Sequence, residues 1–403
     1  MTTRALELFR SVPRYLAARA VGSTMPGLLS GPLASLRLAN LKDPEPLGPG
    51  WGRVRPILSG ICGSDLATVA GQSSFYFSPL VSMPFVPGHE VVGELIDDLD
   101  ELAAGTRVVL EPVLSCIARG LDPCPACAIG LNGRCDRVTT GHVAAGLQTG
   151  YCKDTGGGWS RMFVAHRSQL HVVPEELSDR RAVLIEPLSC AIHCALRANV
   201  APKANASVLV IGAGTVGVLT LLALRELTKA GRITVVAKHA KQKEWAEAFG
   251  ASEVVPPAET TNAIRRSTRA LKLKPEMGSS YLLGGVDVTI DCVGSKASLD
   301  LALRSTKAGG RIVLAGIPVS APDLTPVWFR ELELVGAYTG GMETVGRERR
   351  HSFDLAFDLA RSTPIDRIVG ATYPLSRWRE AIDHALGAGR LGTLKVAFDP
   401  RTD

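Results

Sequence analysis

The sequence predicts an α/β protein in which a doubly wound parallel sheet is joined to a compact β-barrel unit. Three observations predict it. From about residue 190, continuous Val/Ile/Leu strands alternate with helices, the pattern of a parallel sheet covered on both faces. Between about 50 and 175 the runs are shorter, β-rich and broken by Gly/Pro turns, as in a barrel with long functional loops. The 403 residues are enough for two domains, each with its own core.

Taken in order, the first stretch, "MTTRALELFRSVPRYLAARAVG", carries four arginines and no unbroken apolar run. It does not read as a signal peptide. The first 40 residues form a preamble that either covers the barrel or contributes to an oligomer contact. The barrel strands are "RVRPIL", "EVVGELI" and "RVVLEPV". Then come "SVLVIGAGTVGVLTLLALREL" (strand, glycine turn, helix), "RITVVAKH" (strand), "KQKEWAEAFGA" (helix), "VDVTIDCVG" (strand), "KASLDLALRSTKAGG" (helix) and "RIVLAGI" (strand). The expected organisation is a catalytic domain over 1–190, a dinucleotide-binding domain over 191–338, and a return to the catalytic domain over 339–403.

Composition excludes several classes. A formal charge of +6 with no dense Lys/Arg block gives no grip on nucleic acid. No stretch reaches the ~18 to 20 apolar residues of a membrane span. Nine cysteines without a secretory signal indicate a reducing compartment, the cytoplasm, where clustered thiols more often bind metal than form disulfides.

"VLVIGAGTVG" sets Gly212, Gly214 and Gly217 in GxGxxG spacing, with Thr215 and Val216 between the last two. In a strand–turn–helix context this is a dinucleotide motif. Its glycines serve the tight turn, the approach of the pyrophosphate and helix–strand packing, and the helix N-terminus faces the phosphates. The next strand should end in an acid that binds the ribose 2′-hydroxyl of NAD. Ala237 stands there instead, followed by Lys238, His239 and Lys241. A small residue followed by cations accepts a 2′-phosphate, so NADP(H) is preferred over NAD(H). A solvated basic loop is the alternative.

Two constellations point to metal. "CIARGLDPCPACAIGLNGRC" gives Cys116, Cys124, Cys127 and Cys135 in Cys-x7-Cys-x2-Cys-x7-Cys spacing. Four thiolates on a Gly/Pro-rich lobe (about 113–140) suit a closed structural zinc site; free thiols or a redox dithiol are the alternatives. In the second, Cys62 of "GICGSD" and the His89–Glu90 pair of "PGHE" lie on turns far apart in sequence. They either converge on one ion or are unrelated loop residues.

Across roughly residues 50 to 400 the motifs "GICGSD", "PGHE", the four-cysteine lobe, "GGGWS", "IEPLSCAIH" and "IGAGTVG" occur in order. With them the chain resembles the zinc-containing medium-chain alcohol dehydrogenases, nearest the sorbitol and threonine dehydrogenase branch. The resemblance implies a GroES-like barrel beside a Rossmann sheet and two zinc ions per chain, one catalytic and one structural. It implies that Cys62 and His89 hold the catalytic zinc and that Glu186 takes the third protein position. Glu90 is then a ligand or a neighbour that exchanges with water, and Asp65 orients the histidine. Ser64 stands where the family has the hydroxyl that takes the alcohol proton. Two departures stand out. Ala67 occupies the position of the histidine that often continues the relay, so the proton must leave by water or another group. In the lobe Leu121 fills the usual first cysteine position, and a looped-out "IARGLDP" must bring Cys116 in. His193 is expected to pack in its helix.

The chemistry implied is zinc-assisted hydride transfer between NADP(H) and a secondary alcohol or ketone, in a cleft closed by domain movement. Phe75, Tyr76, Phe77, Met83 and Trp159 would wall the substrate site or pack their loop against the barrel. The alternatives are an NAD-dependent polyol or amino-alcohol dehydrogenase and, from another class, a non-catalytic dinucleotide-sensing protein. The resemblance suggests a homodimer or homotetramer.

Overall fold

The computed structural model describes residues 2–21, 26–31, 33–200, 205–318 and 322–402. The chain divides into two compact units, 1–186 with 356–403, and 187–355. The unit boundary falls inside the helix Ile185–Arg197. Residues 339–355, expected with the C-terminal return, group with the second unit.

The first unit is built on a sheet whose central strand, Trp51–Gly60, is paired along both edges. Val91–Leu95, Arg107–Leu110 and Leu170–Val172 follow on one side, and Lys395–Phe398 and Val369–Tyr373 on the other. Phe163–His166 also pairs with the central strand. Alternate residues turn inward to a core of Val54, Val91, Leu95, Val108, Leu110 and Phe163. One end of this sheet sets the site. Antiparallel pairing of Ser59 with Val91 brings residues 60–62 beside 89–90, and Gly60 N–H donates to the Glu90 carbonyl at 2.8 Å. On the other edge Ala397 pairs with Gly60, and Ile61 N–H donates to the Val396 carbonyl at 2.9 Å. Three distant segments thus share one strand end.

The N-terminal preamble belongs to this unit's core. Its strand Thr2–Leu8 pairs antiparallel with Leu36–Lys42. Leu6 and Leu8 N–H groups donate to the Trp159 and Phe85 carbonyls, both at 2.8 Å. Ala5, Leu6 and Leu8 are buried against Phe85, Trp159, Trp378 and Phe398, so this strand covers the barrel. Between the two strands lies helix α1, Val12–Val21. It rests on the loop that follows helix α2, Gly63–Val69. Tyr15 Oη donates to the Ser73 carbonyl at 3.0 Å, Arg19 donates to the Gly71 carbonyl at 3.2 Å, and the Tyr15 and Phe75 rings are 5.5 Å apart.

The second unit is a six-stranded sheet, parallel throughout. Its spatial order is Glu253–Val255, Ala230–Val236, Ala206–Ile211, Val286–Asp291, Thr306–Leu314, Glu333–Gly336. In order of appearance this is 3-2-1-4-5-6, the dinucleotide-binding arrangement with its reversal between Ala206–Ile211 and Val286–Asp291. Val208, Leu209 and Val210 are fully buried because helices cover both faces. Among the described residues no helix is long and apolar enough to cross a membrane.

Candidate metal and cofactor sites

Cys62 ends the extension of the central strand and caps α2, its N–H donating to Asp65 Oδ2 at 3.0 Å. His89 and Glu90 immediately precede the neighbouring strand. One donor atom each from Cys62, His89 and Glu90 lies within 4.8 Å of the others, so the turns converge. His89 is 4% exposed. Its Nδ1 faces Asp65 Oδ1 at 3.4 Å, and neither atom makes a closer hydrogen bond among the described residues. Burial alone would lower the imidazole pKa, but the Asp65 carboxylate together with Cys62 outweighs it and holds the group well above its usual range. With Nδ1 turned to the carboxylate, Nε2 is the nitrogen left for a metal. A sulfur, an imidazole and a carboxylate suit zinc.

Glu90 is engaged on both oxygens by Lys395 Nζ, at 2.7 and 2.5 Å, and the same ammonium donates to the Ile61 carbonyl at 3.2 Å. Both side chains are almost wholly buried. Burial disfavours the lysine's charge, yet Glu90, with Cys62 and Glu186, more than compensates and its pKa is raised. Gly60 makes room for this pair: a Cβ there would stand 2.0 Å from Glu90 Oε2. Lys395 escaped sequence reasoning; its one signal is a lysine opening the apolar strand "KVAF". Glu186, in the first turn of Ile185–Arg197, is buried and near enough for its charge to act on Lys395. It lies outside the Cys62–His89–Glu90 cluster. Ser64 sits in the first turn of α2. Trp159, a candidate wall for substrate, is instead fully buried, its ring 5.2 Å from that of Phe398. Phe75 and Tyr76 remain largely exposed. His193 is packed as expected, its Nδ1 2.6 Å from Glu343 Oε1.

The four lobe cysteines converge likewise, one sulfur from each lying within 4.8 Å of the others. Cys116 and Cys135 sulfurs are 3.6 Å apart, close to the ~3.8 Å edge of a tetrahedron with zinc–sulfur bonds of about 2.3 Å. A backbone hydrogen bond from Cys127 is the main reason the Cys124 thiol falls to about 7, while burial pushes the Cys127 and Cys135 thiols up. The looped-out segment is held by Arg119, which is fully buried. Its guanidinium donates to the carbonyls of Leu114, Thr140, Val143, Ala144 and Gly146 at 2.7–3.3 Å. Arg119 thereby fixes the detour that delivers Cys116. Arg119→Met, which keeps the stem but removes every donor, is expected to cost about 2–3 kcal/mol. It should also loosen lobe metal binding, read by chelator competition; wild-type stability and metal retention would remove this assignment.

In the second unit the three glycines differ as the motif requires. Gly212 has φ +96°, which only glycine adopts readily, and a Cβ on Gly217 would lie 1.9 Å from the Gly212 carbonyl oxygen. A Cβ on Gly214 would meet nothing within 4 Å. That open backbone, capping the helix Thr215–Leu227 that also carries Val216, leaves space for a pyrophosphate. At the end of the second strand Ala237 is buried and Lys238 is exposed. His239 caps the helix Ala240–Ala248, and Gln242 Oε1 accepts from the N–H groups of both Lys238 and His239. Lys241 is paired with Glu244 at 2.6 Å.

A metal-donor cluster on a barrel and a dinucleotide-binding sheet in one chain define a metal-dependent, nicotinamide-linked oxidoreductase. Comparison with known proteins narrows the class. Residues 48–175 match the alcohol dehydrogenase GroES-like domain and 215–359 the zinc-binding dehydrogenase family. L-idonate 5-dehydrogenase of Vitis vinifera is 30% identical over 362 residues, covering 88% of this chain and 89% of that protein. Sorbitol dehydrogenase of Arabidopsis thaliana is 32% identical over 301 residues, covering 72% and 74%. An NADP-bound Sinorhizobium meliloti protein shares the fold with TM-score 0.71 at 24% identity, covering 99% of this chain and 100% of that one. Acetophenone reductase of Geotrichum candidum, solved with NAD, does so with TM-score 0.73 at 19% identity, covering 100% and 98%. The chain belongs to the zinc-dependent medium-chain alcohol dehydrogenases, in their sorbitol-like branch.

Proposed function

We propose that the protein interconverts a secondary alcohol and its ketone with NADP(H), at a zinc ion held by Cys62, His89 and Glu186. The observation that carries this reading is the convergence of Cys62, His89 and Glu90 at one strand end. Lys395 engages both oxygens of Glu90, so Glu90 is read as the cluster's exchanging carboxylate, and Glu186, outside the cluster, takes the third position by the family resemblance alone. A zinc ion in this cluster supplies Lewis-acid polarisation of the substrate oxygen. The chain's residues do the rest. Asp65 fixes the histidine tautomer, Ser64 offers the hydroxyl that takes the alcohol proton, and the Gly214 turn seats the dinucleotide. A second ion in the Cys116, Cys124, Cys127 and Cys135 set braces the lobe.

NADP(H) is supported by the small Ala237 and the exposed Lys238; Lys241 is paired with Glu244, which leaves Lys238 as the nearest lysine to the strand end. Wild-type protein is expected to bind NADPH more tightly than NADH. Lys238→Asp should reverse the preference, with a loss for NADPH of about 1–2 kcal/mol or ~5–30-fold. Fluorescence titration of both reduced cofactors decides it, and tighter NADH binding by the wild type overturns the preference. A second reading, an NAD-linked polyol dehydrogenase, is favoured by the two relatives above, whose names specify idonate and sorbitol. A panel of simple secondary alcohols, polyols and amino alcohols with both cofactors separates the two. Membership of an enzyme family leaves the dinucleotide-sensing alternative without support. A reducing, cytoplasmic setting is supported by the nine cysteines, five of which sit in the two metal-donor clusters. A homodimer or homotetramer is proposed by family resemblance and is tested by light scattering.

A further inference from the structure

Oxidation of an alcohol sends a hydride to the nicotinamide and releases one proton from the hydroxyl. Ser64 can receive that proton, but Ala67 has no group to carry it on. On α2, Ser64 and Thr68 are four residues apart and therefore share a face. The Tyr151 hydroxyl hydrogen-bonds to Thr68, and Ser64 lies near enough for its hydroxyl to act on the phenol. Its ring lies against the site, 5.9 Å from the His89 ring and 5.3 Å from that of Phe85. Thr68 Oγ1 is 3.3 Å from Tyr151 Oη and 2.9 Å from Ser73 Oγ. Ser73 is half-buried, and its carbonyl is held by Tyr15 of α1. The N-terminal preamble therefore anchors the outer end of a hydrogen-bonded row, Tyr151–Thr68–Ser73, whose inner end lies beside the proposed proton acceptor.

We propose that Tyr151, Thr68 and Ser73 are the outlet by which the proton of the alcohol travels from Ser64 to solvent. The inference rests on the reaction proposed above. For R2CHOH and oxidised nicotinamide, the C–H bond breaks with its electron pair going to the nicotinamide, and the C=O bond forms. The O–H proton passes to Ser64 Oγ as Ser64 gives its own to Tyr151 Oη, and Tyr151, Thr68 and Ser73 each give one as they receive one. One proton reaches water, every hydroxyl ends neutral, and ketone reduction runs the row inward. In the resting arrangement Thr68 donates to the Ser64 carbonyl at 2.9 Å. Ser73 Oγ is equally distant, so the transfer needs only a rotation of the Thr68 hydroxyl. Thr68 joins Tyr151 to Ser73, so its hydroxyl is the place where interruption should tell.

The test compares Thr68→Val, which keeps the shape, with Thr68→Ser, which keeps the hydroxyl, alongside Tyr151→Phe, all in zinc-loaded full-length protein. The first readout is independent of turnover. It is the exchange rate of the Tyr151 hydroxyl hydrogen, seen as the deuterium isotope shift on the ring carbon bearing the hydroxyl in labelled tyrosine, with Tyr151→Phe giving the assignment. Thr68→Val should slow exchange at least ~10-fold and Thr68→Ser should not. The second readout is turnover. Tyr151→Phe and Thr68→Val should lower kcat for alcohol oxidation by about 10–100-fold, part of what a positioned proton acceptor contributes. KM, zinc content and thermal stability should stay near wild type. A packing role predicts the opposite order, Val tolerated and Ser harmful, and would overturn the outlet. Unchanged exchange in Thr68→Val overturns it too, as does slowed exchange with undiminished turnover. A wild type with Thr68-dependent exchange that oxidises no alcohol with either cofactor instead brings down the proposed reaction, and with it the use of this row.

Discussion

Lys395→Met is expected to destabilise the first unit by about 3–5 kcal/mol, because it strips the ammonium from a buried carboxylate. Glu90 is 1% exposed, and both of its oxygens rest on Lys395. The substitution also leaves the Ile61 carbonyl without its ammonium donor, immediately before Cys62. The methionine fills most of the lysine's volume, so the loss measures the unpaired charge rather than a cavity. Adding Glu90→Gln in the same chain should recover much of the deficit, since a neutral amide needs no counter-ion and the two positions form one interacting pair. The measurement is urea unfolding followed through tryptophan fluorescence, with Trp51, Trp159 and Trp378 in the first unit and Trp245 and Trp328 in the second. Two units need not unfold together, so their transitions are fitted separately. If the single variant unfolds within about 1 kcal/mol of wild type, the pair contributes less than a buried ion pair broken on one side should.

What could be read in advance divides by distance along the chain. The glycine turn was legible because Gly212, Gly214 and Gly217 act within one strand–turn–helix, and each conformational demand is local. The four lobe cysteines were legible by residue type and spacing, although not the means of closing the long first gap. That means is Arg119, whose five carbonyl partners lie in segments that sequence does not bring together. Cys62 and His89 could be paired only through the family resemblance; the physical reason for their meeting is the antiparallel register of Ser59 with Val91. Lys395 is 305 residues from Glu90 and reaches it because Ala397 pairs with Gly60, a register no local pattern encodes. Trp159 looked like a candidate wall because large aromatics suit both pockets and cores. Its burial follows from the preamble strand, whose Leu6 N–H donates to its carbonyl. The hydroxyl row was invisible for the same reason, since Tyr151 lies 83 residues beyond Thr68.

If the two proposed sites each hold one zinc ion, His89→Gln is expected to remove one and leave the other in place. It should lower kcat/KM for alcohol oxidation by at least ~10³-fold. The selectivity follows from geometry. His89 belongs to the cluster with Cys62 and Glu90, whereas Cys116, Cys124, Cys127 and Cys135 form a separate set of four sulfurs. Glutamine keeps a polar side chain at the site but offers a poor zinc ligand in place of an imidazole. Asp65 would then face a group that has no tautomer to fix. Cys124→Ser should act in the other direction, emptying the lobe and lowering stability because the metal is part of that lobe's folding energy. Metal analysis after exhaustive dialysis, with thermal unfolding and turnover on the same samples, reads all three consequences. Retention of both ions in His89→Gln, or loss of both, would show that the imidazole is not a ligand of a separate, substrate-facing zinc. Asp65→Asn, which keeps a hydrogen-bonding partner for Nδ1 but removes its charge, should fall between these extremes, weakening zinc affinity by about 10–100-fold.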